Sequence, residues 1–282
     1  MIQLRDLSSQ VDTLIEESKQ PTQRISTGLP AIDALCGGPA KGEVYTVIGR
    51  SFAGKSIVGQ HIIYHNRKLP SILFSLEMPA SQALKRIFSM HSGIANSDVQ
   101  RLSERGQLPE SKLRDMQADF GQHVIVDKAG ISLEEMTETL YLFKERYETW
   151  PAFVVMDYLE LVGGAKRSGD GYLATEAAAQ AVKDWAKDHE MPVFLLHQTN
   201  MREDPWKPPT QNSARGAGYT EADFIIGLWQ PGTDPELEDN MVRFFQNKLY
   251  FNVLKNRAYG LVRYEPIVYT LLPNLRLEQI RG

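Results

Sequence analysis

From Ile25 onward, short apolar runs alternate with longer stretches patterned for helix, the signature of a parallel sheet joined by crossover helices. The runs are Val44–Ile48, Ile72–Leu76, Val124–Val126, Phe153–Met156, Val193–Leu196 and Phe224–Leu228. Two further runs, Phe251–Leu254 and Val262–Leu272, are joined by a short segment of Asn, Arg, Tyr and Gly. They predict an antiparallel hairpin at the sheet edge. The expectation is one α/β domain over residues 25–282, with a mainly parallel central sheet, flanking helices and a C-terminal hairpin.

Ahead of it, residues 1–24 form a separate element. Leu4, Leu7, Val11, Leu14 and Ile15 share one stripe of a short amphipathic helix that Pro21 ends. Two readings stay open, packing on its own domain or docking on a neighbouring subunit. The stretch Glu203–Gly218, with Pro205, Pro208, Pro209, Gly216 and Gly218, cannot continue a helix or a central strand and reads as a long functional loop.

Composition narrows the class. Apolar residues at 42% and charged residues at 23% match an ordinary globular protein. A formal charge of -4 excludes a surface that coats nucleic acid as a whole, so any nucleic-acid site must be local. A single cysteine, Cys36, rules out an intramolecular disulfide and reads as a packed small residue. No window is apolar enough for a membrane span and the start has no basic-then-apolar leader, so the expected compartment is cytoplasmic, in a bacterial cell or a phage-infected host.

Gly49-Arg50-Ser51-Phe52-Ala53-Gly54-Lys55-Ser56 fits the G-x-x-x-x-G-K-[ST] phosphate loop between a strand and a helix. Its glycines let backbone N–H groups wrap phosphates, Lys55 supplies a point charge, and Ser56 can hold Mg²⁺ at the helix N-terminus. Val154-Val155-Met156-Asp157 is a buried-strand pattern ending in a carboxylate, which makes Asp157 the candidate for the metal. Glu77 follows another strand end, where a base for the attacking water belongs; the competing reading is a solvated cap of the helix after Pro79. Gln198 ends a further strand, where an amide can contact a γ-phosphate; the competing reading is a plain surface glutamine.

The order of Ser26-Thr27-Gly28, the phosphate loop, Ser75-Leu76-Glu77-Met78-Pro79, Met156-Asp157-Tyr158-Leu159-Glu160-Leu161, His197-Gln198-Thr199-Asn200 and Lys255-Asn256-Arg257 resembles the C-terminal motor of the DnaB-like replicative helicases, from about residue 25 to the end. The Ser-Leu-Glu-Met-Pro and Asp-Tyr-Leu-x-Leu strings discriminate, because the phosphate loop is shared by unrelated NTPases. The resemblance implies a RecA-like core that binds ATP and Mg²⁺, translocates on single-stranded DNA and unwinds duplex during replication. It implies a homo-oligomer, a hexameric ring, with primase or a helicase loader as further partners. By the same resemblance Glu77 is the catalytic base, Asp157 the metal carboxylate and Gln198 the γ-phosphate sensor, while Lys255 and Arg257 reach the neighbouring subunit's nucleotide.

Three departures accompany it. About 24 residues precede the motor, so the family's N-terminal primase-binding domain is expected to be lacking. The family's Arg-Gly-Ser-Gly loop motif with Ile-Glu-Gln-Asp-Ala-Asp appears as the shorter Arg215-Gly216-Ala217-Gly218-Tyr219-Thr220-Glu221-Ala222-Asp223. Ala258-Tyr259 separates Arg257 from Gly260 where the family usually has one residue.

Candidate phosphate contacts for a single strand are Lys166 and Arg167 after the Asp157 strand, and Arg202, Lys207 and Arg215 in the long loop. Each alone reads first as a solvated charge, and only their placement on two loops at the strand C-terminal side raises them. The six histidines show no zinc spacing, leaving Mg²⁺ as the expected metal. Two other functions remain: a RecA- or RadA-type recombination ATPase, which shares the fold but does not explain the Ser-Leu-Glu-Met-Pro string, and an ATP-switched helicase accessory factor without motor activity.

Overall fold

A computed structural model describes residues 6–19, 21–157, 171–199, 204, 206–214 and 220–280. The six apolar runs are all strands: β1 Val44–Gly49, β2 Ser71–Ser75, β3 His123–Val126, β4 Phe153–Asp157, β5 Val193–Gln198 and β6 Phe224–Trp229. Crossover helices separate them: α3 Lys55–His65 after β1, α4 Ala80–Ser92 to α6 Glu110–Asp119 after β2, α7 Leu133–Tyr147 after β3 and α8 Gly171–Asp188 after β4. Before β1 come α1 Leu7–Ser18 and α2 Pro30–Cys36; α5 is Asn96–Glu104.

Among the described residues these strands join one nine-stranded sheet in the order β3-β2-β4-β5-β1-β6-β7-β8-β9. The first six are mutually parallel, which demands the long crossovers just named. The C-terminal hairpin is present as β7 Lys248–Asn256 and β8 Arg263–Leu271. Its position differs from the sequence expectation, because a three-residue strand, β9 Leu277–Gln279, pairs outside β8 and forms the edge. Three residues give too little periodicity to read. The long loop also departs from expectation by holding one helical turn, α9 Gln211–Ala214. Thr210 and Ser213 exchange side-chain and backbone hydrogen bonds at its start.

Apolar residues cover both faces of the parallel strands. One face packs Val58, Ile62 and Ile63 of α3 and Ile87 and Phe88 of α4 against Tyr45, Val47, Val155 and Phe194. The opposite face packs Met136, Leu140 and Phe143 of α7 and Val182 and Trp185 of α8 against Ile72, Phe74, Val154 and Leu195. Gly59 lets α3 lie close to the sheet: a Cβ there would stand 3.0 Å from Leu196 Cδ1 and 3.2 Å from Val155 Cγ1. Cys36 is buried, and burial pushes its thiol up to about 12, which fits a packing role. No helix of the described residues is long and apolar enough to cross a membrane.

On α1, Leu7, Val11, Leu14 and Ile15 are all exposed; Leu4 lies outside the described residues. The apolar stripe is therefore not consumed by the chain's own core. A chain beginning at Pro21, which keeps the Arg24–Glu43 ion pair, should keep its thermal midpoint within about 2 °C of the full chain. Thermal unfolding monitored by circular dichroism checks this, and a larger drop would mean that α1 supports its own domain.

Candidate nucleotide site

Parallel strands aim all their C-terminal ends at one edge, and β1 delivers Gly49–Ser56 there. Gly54, at φ 103°, turns the chain into α3, whose first-turn N–H groups lack intrahelical partners and so suit an anion. Lys55 is buried, its ammonium donating to the carbonyls of Gly49 at 3.0 Å and Arg50 at 2.8 Å. The loop is tied down from both neighbouring strands. From β5, Gln198 Nε2 donates to Ser51 Oγ at 2.5 Å and Thr199 N to Gly49 O at 3.0 Å. From the end of β6, Gln230 Nε2 donates to Ala53 O at 3.0 Å and Phe52 O at 3.3 Å. Phe52 crowns the loop with positive φ and its side chain 99% exposed.

At the same edge Ser75 of β2 pairs with Asp157 of β4, and the Leu76 N–H donates to the Asp157 carbonyl at 2.7 Å. The Ser56 hydroxyl hydrogen-bonds the Asp157 carboxylate, joining loop to strand. Burial pushes the carboxyl up to about 6, the Ser56 bond opposes that rise, and the nearby Glu77 charge adds to it. Oδ1 of Asp157 is buried with no hydrogen-bond partner. An orphaned carboxylate oxygen beside a helix-terminal hydroxyl suits Mg²⁺, which takes one or two protein oxygens and fills the rest with water and phosphate. Among the described residues there is no cluster of three or more His, Cys, Asp or Glu that could hold a metal ion.

Glu77, two residues beyond β2, is exposed and within electrostatic reach of Asp157. Arg86, on α4, is half-buried between these acids: burial lowers its pKa, and Asp157 and Glu77 raise it. Sequence reasoning missed Arg86 and Gln230. Arg86 lies nine residues past Glu77 on a helix, where nothing in the spacing marks it.

Lys255 and Arg257 sit elsewhere. Phe224, which opens β6, pairs with Asn256 of β7, so both cations lie at the opposite edge of the sheet from the phosphate loop. Six residues of β1 separate the two edges, on the order of 15–20 Å. Lys255 Nζ donates to Thr220 O at 3.1 Å, and burial followed by the Arg257 charge lowers its pKa. The Ser26-Thr27-Gly28 string belongs to neither edge function: Asp33 of α2 accepts from Ser26 Oγ, Thr27 N and Thr27 Oγ1, a turn lock.

Residues 24–262 match the family model described as the DnaB-like helicase C-terminal domain. This chain belongs to that family. It is 26% identical to the replicative DNA helicase DnaB of Synechocystis sp. over 243 residues, covering 81% of this chain and 27% of that relative's length. A separately solved ATPase domain superposes with TM-score 0.79 at 18% identity, covering 99% of this chain and all of the other. A DnaB-like replicative helicase solved with attention to its interactions with primase gives TM-score 0.80 at 19% identity, covering 98% of this chain and 69% of the other. The core is therefore RecA-like, as the sequence order implied.

For this DnaB-like domain, Lys166, Arg167, Arg202 and Arg215 lie outside the described residues. Lys207 is exposed and paired with Asp204 at 2.6 Å, a bond that raises its pKa and offsets its charge within the loop.

Asp157 yields a prediction in the metal-free protein. Its carboxyl rises from an ordinary 3.8 to about 6 on folding, so folding favours the protonated form. Stability from this group is full below pH 3.8 and is lost as pH climbs through about 6. Asp157→Asn should therefore stabilise the metal-free chain at pH 7.5, by an upper bound of about 3 kcal/mol. The gain should vanish near pH 4 in urea titrations; a gain independent of pH would contradict the burial of an ionisable carboxylate.

Proposed function

We propose that the chain is the motor domain of an ATP-dependent ring helicase that translocates on single-stranded DNA and unwinds duplex during replication. The chain spans 27% of the Synechocystis relative, so this activity is inferred from the domain rather than carried over from a whole protein. One observation carries the reading: the phosphate loop, Glu77, Asp157 and Gln198 gather at one edge of the sheet while Lys255 and Arg257 stand at the other. Cations on the order of 15–20 Å from their own loop cannot serve their own nucleotide. They suit the nucleotide of a neighbour, and that makes turnover depend on assembly.

In this reading the Gly49–Ser56 backbone and Lys55 bind the ATP phosphates, and Ser56 and Asp157 would hold Mg²⁺, which would supply positive charge to the phosphates. Glu77 takes a proton from the attacking water. Gln198 touches the γ-phosphate and, through Ser51 and the end of β5, links its loss to the loop beyond. Lys207, together with Lys166, Arg167, Arg202 and Arg215, contacts phosphates of the strand. The exposed stripe of α1 docks on the next copy of the chain. An apolar cavity of about 520 Å³ between α4, α6 and β3, with Leu84 and Leu113 exposed and Lys85 on its lining, offers a surface for that stripe.

Lys55 and Glu77 should separate on mutation. Lys55→Ala should lose nucleotide binding and turnover together. Glu77→Gln should keep affinity for a fluorescent ATP analogue and lose about two to four orders of magnitude in kcat. Wild-type turnover by Glu77→Gln would remove it from the mechanism. Arg257→Ala subunits keep a phosphate loop but offer no finger, and Lys55→Ala subunits do the reverse. Each should be nearly inactive alone, a finger being worth roughly three to five orders of magnitude, and mixtures should regain ATPase activity. A dead mixture whose mixed assembly is shown by tagged pull-down would favour the accessory-factor reading.

A further inference from the structure

The carboxylate of Asp223, directly before β6, is 7% exposed and has both oxygens occupied. Oδ2 accepts from Lys183 Nζ of α8 at 2.5 Å and from the Val44 N–H at 2.8 Å. Lys183 is itself buried and gives a second bond to Gly42 O at 2.7 Å. Oδ1 accepts from Arg257 Nη1 at 3.1 Å, while Arg257 Nη2 donates to Thr220 O at 2.9 Å. Backbone bonds run in parallel, Asp223 N to Val44 O at 3.0 Å and Arg257 N to Asp223 O at 2.8 Å.

This is more anchoring than a surface ion pair requires. Lys183 alone neutralises Asp223, so the carboxylate needs no second cation for its own sake. Arg257 is 52% exposed, and exposed pairs contribute little to stability. What the second contact does is fix direction. One guanidinium nitrogen is held by the charge-balanced Asp223 post and the other by Thr220 O, and the two contacts together fix the plane of the half-exposed group in one orientation. The post is bonded to Val44, the first residue of the strand that ends in the phosphate loop. A finger on a long side chain loses rotamer freedom when it engages, and holding it beforehand removes part of that cost.

We propose that the buried Lys183–Asp223 pair is a positioning element that orients Arg257 for the neighbouring subunit's nucleotide; this rests on the trans reading of Arg257 given above. Asp223 touches no nucleotide and acts only through the arginine. The sequence groups Asp223 with the loop motif, whereas its contacts assign it to the finger edge.

The test uses complementing mixtures, in which direction matters. Lys183→Met with Asp223→Asn removes both buried charges together, so neither is stranded in the core. Added to the Lys55→Ala subunits that supply the finger, this pair should lower kcat of the mixture by about tenfold or more. KM for ATP should stay constant, because the nucleotide-binding subunits are untouched. Added instead to the Arg257→Ala subunits, it should change kcat by less than about twofold, since no guanidinium remains there to orient. Equal losses in both arrangements would mean a merely structural pair, and no loss in either would mean that Arg257 needs no post; both overturn the proposal. Should the double variant fail to fold by circular dichroism, Asp223→Glu keeps the charge pair and displaces the carboxylate by one methylene. The same asymmetry is then expected, and its absence overturns the proposal equally. If Lys55→Ala and Arg257→Ala fail to complement before any change at Asp223, the trans reading has failed first and the positioning role falls with it.

Discussion

The parallel pairing of β1 with β5 on one side and β6 on the other is the constraint on which the rest of the structure depends. It fixes the phosphate loop beside Gln198 and Gln230, both of which hydrogen-bond it. Because β4 joins the same sheet in the same sense, Asp157 arrives level with the loop and meets Ser56. Were any of these strands reversed, its terminal side chain would lie at the far edge. Strand direction, more than any single contact, assembles the site.

The same rule in reverse accounts for Lys255 and Arg257. β7 runs antiparallel to β6, so its C-terminal end returns to the edge where the parallel strands begin. There the chain has built a second polar centre, around Asp223, with buried charges matched one to one and a half-exposed arginine facing out. Two polar centres at opposite edges of an otherwise apolar sheet divide the labour: one gathers carboxylates and backbone donors, the other presents positive charge.

How much of this was legible in the sequence follows from how local each signal is. Strands buried on both faces write continuous apolar runs, and all six were readable with boundaries near the observed ones. The phosphate loop is contiguous and carries its own context. The shared placement of Glu77, Asp157 and Gln198 was readable because each ends or closely follows a strand, and a parallel sheet sends every such end to one place. Arg86 and Gln230 were not, because their roles depend on side chains meeting across separate elements. The Lys183–Asp223 pair joins residues 40 apart in sequence, from a helix and a strand start, with no periodicity to betray it. β9 was lost for the opposite reason, being too short to have a pattern.

The order of the strands also has a bearing on how such a chain comes off the ribosome. β1 ends at Gly49, yet its two partners, Val193–Gln198 and Phe224–Trp229, lie far downstream. On the order of 150 residues must therefore emerge before its first edge is paired, roughly 10–30 s at common translation rates. Throughout that interval the strand Val44–Gly49, apolar on both faces, has neither neighbour available. The central strand of the finished domain is thus an exposed one while those residues are made. Whatever shields it in that window, a transient non-native pairing or a chaperone, acts on the segment that will later bear the phosphate loop.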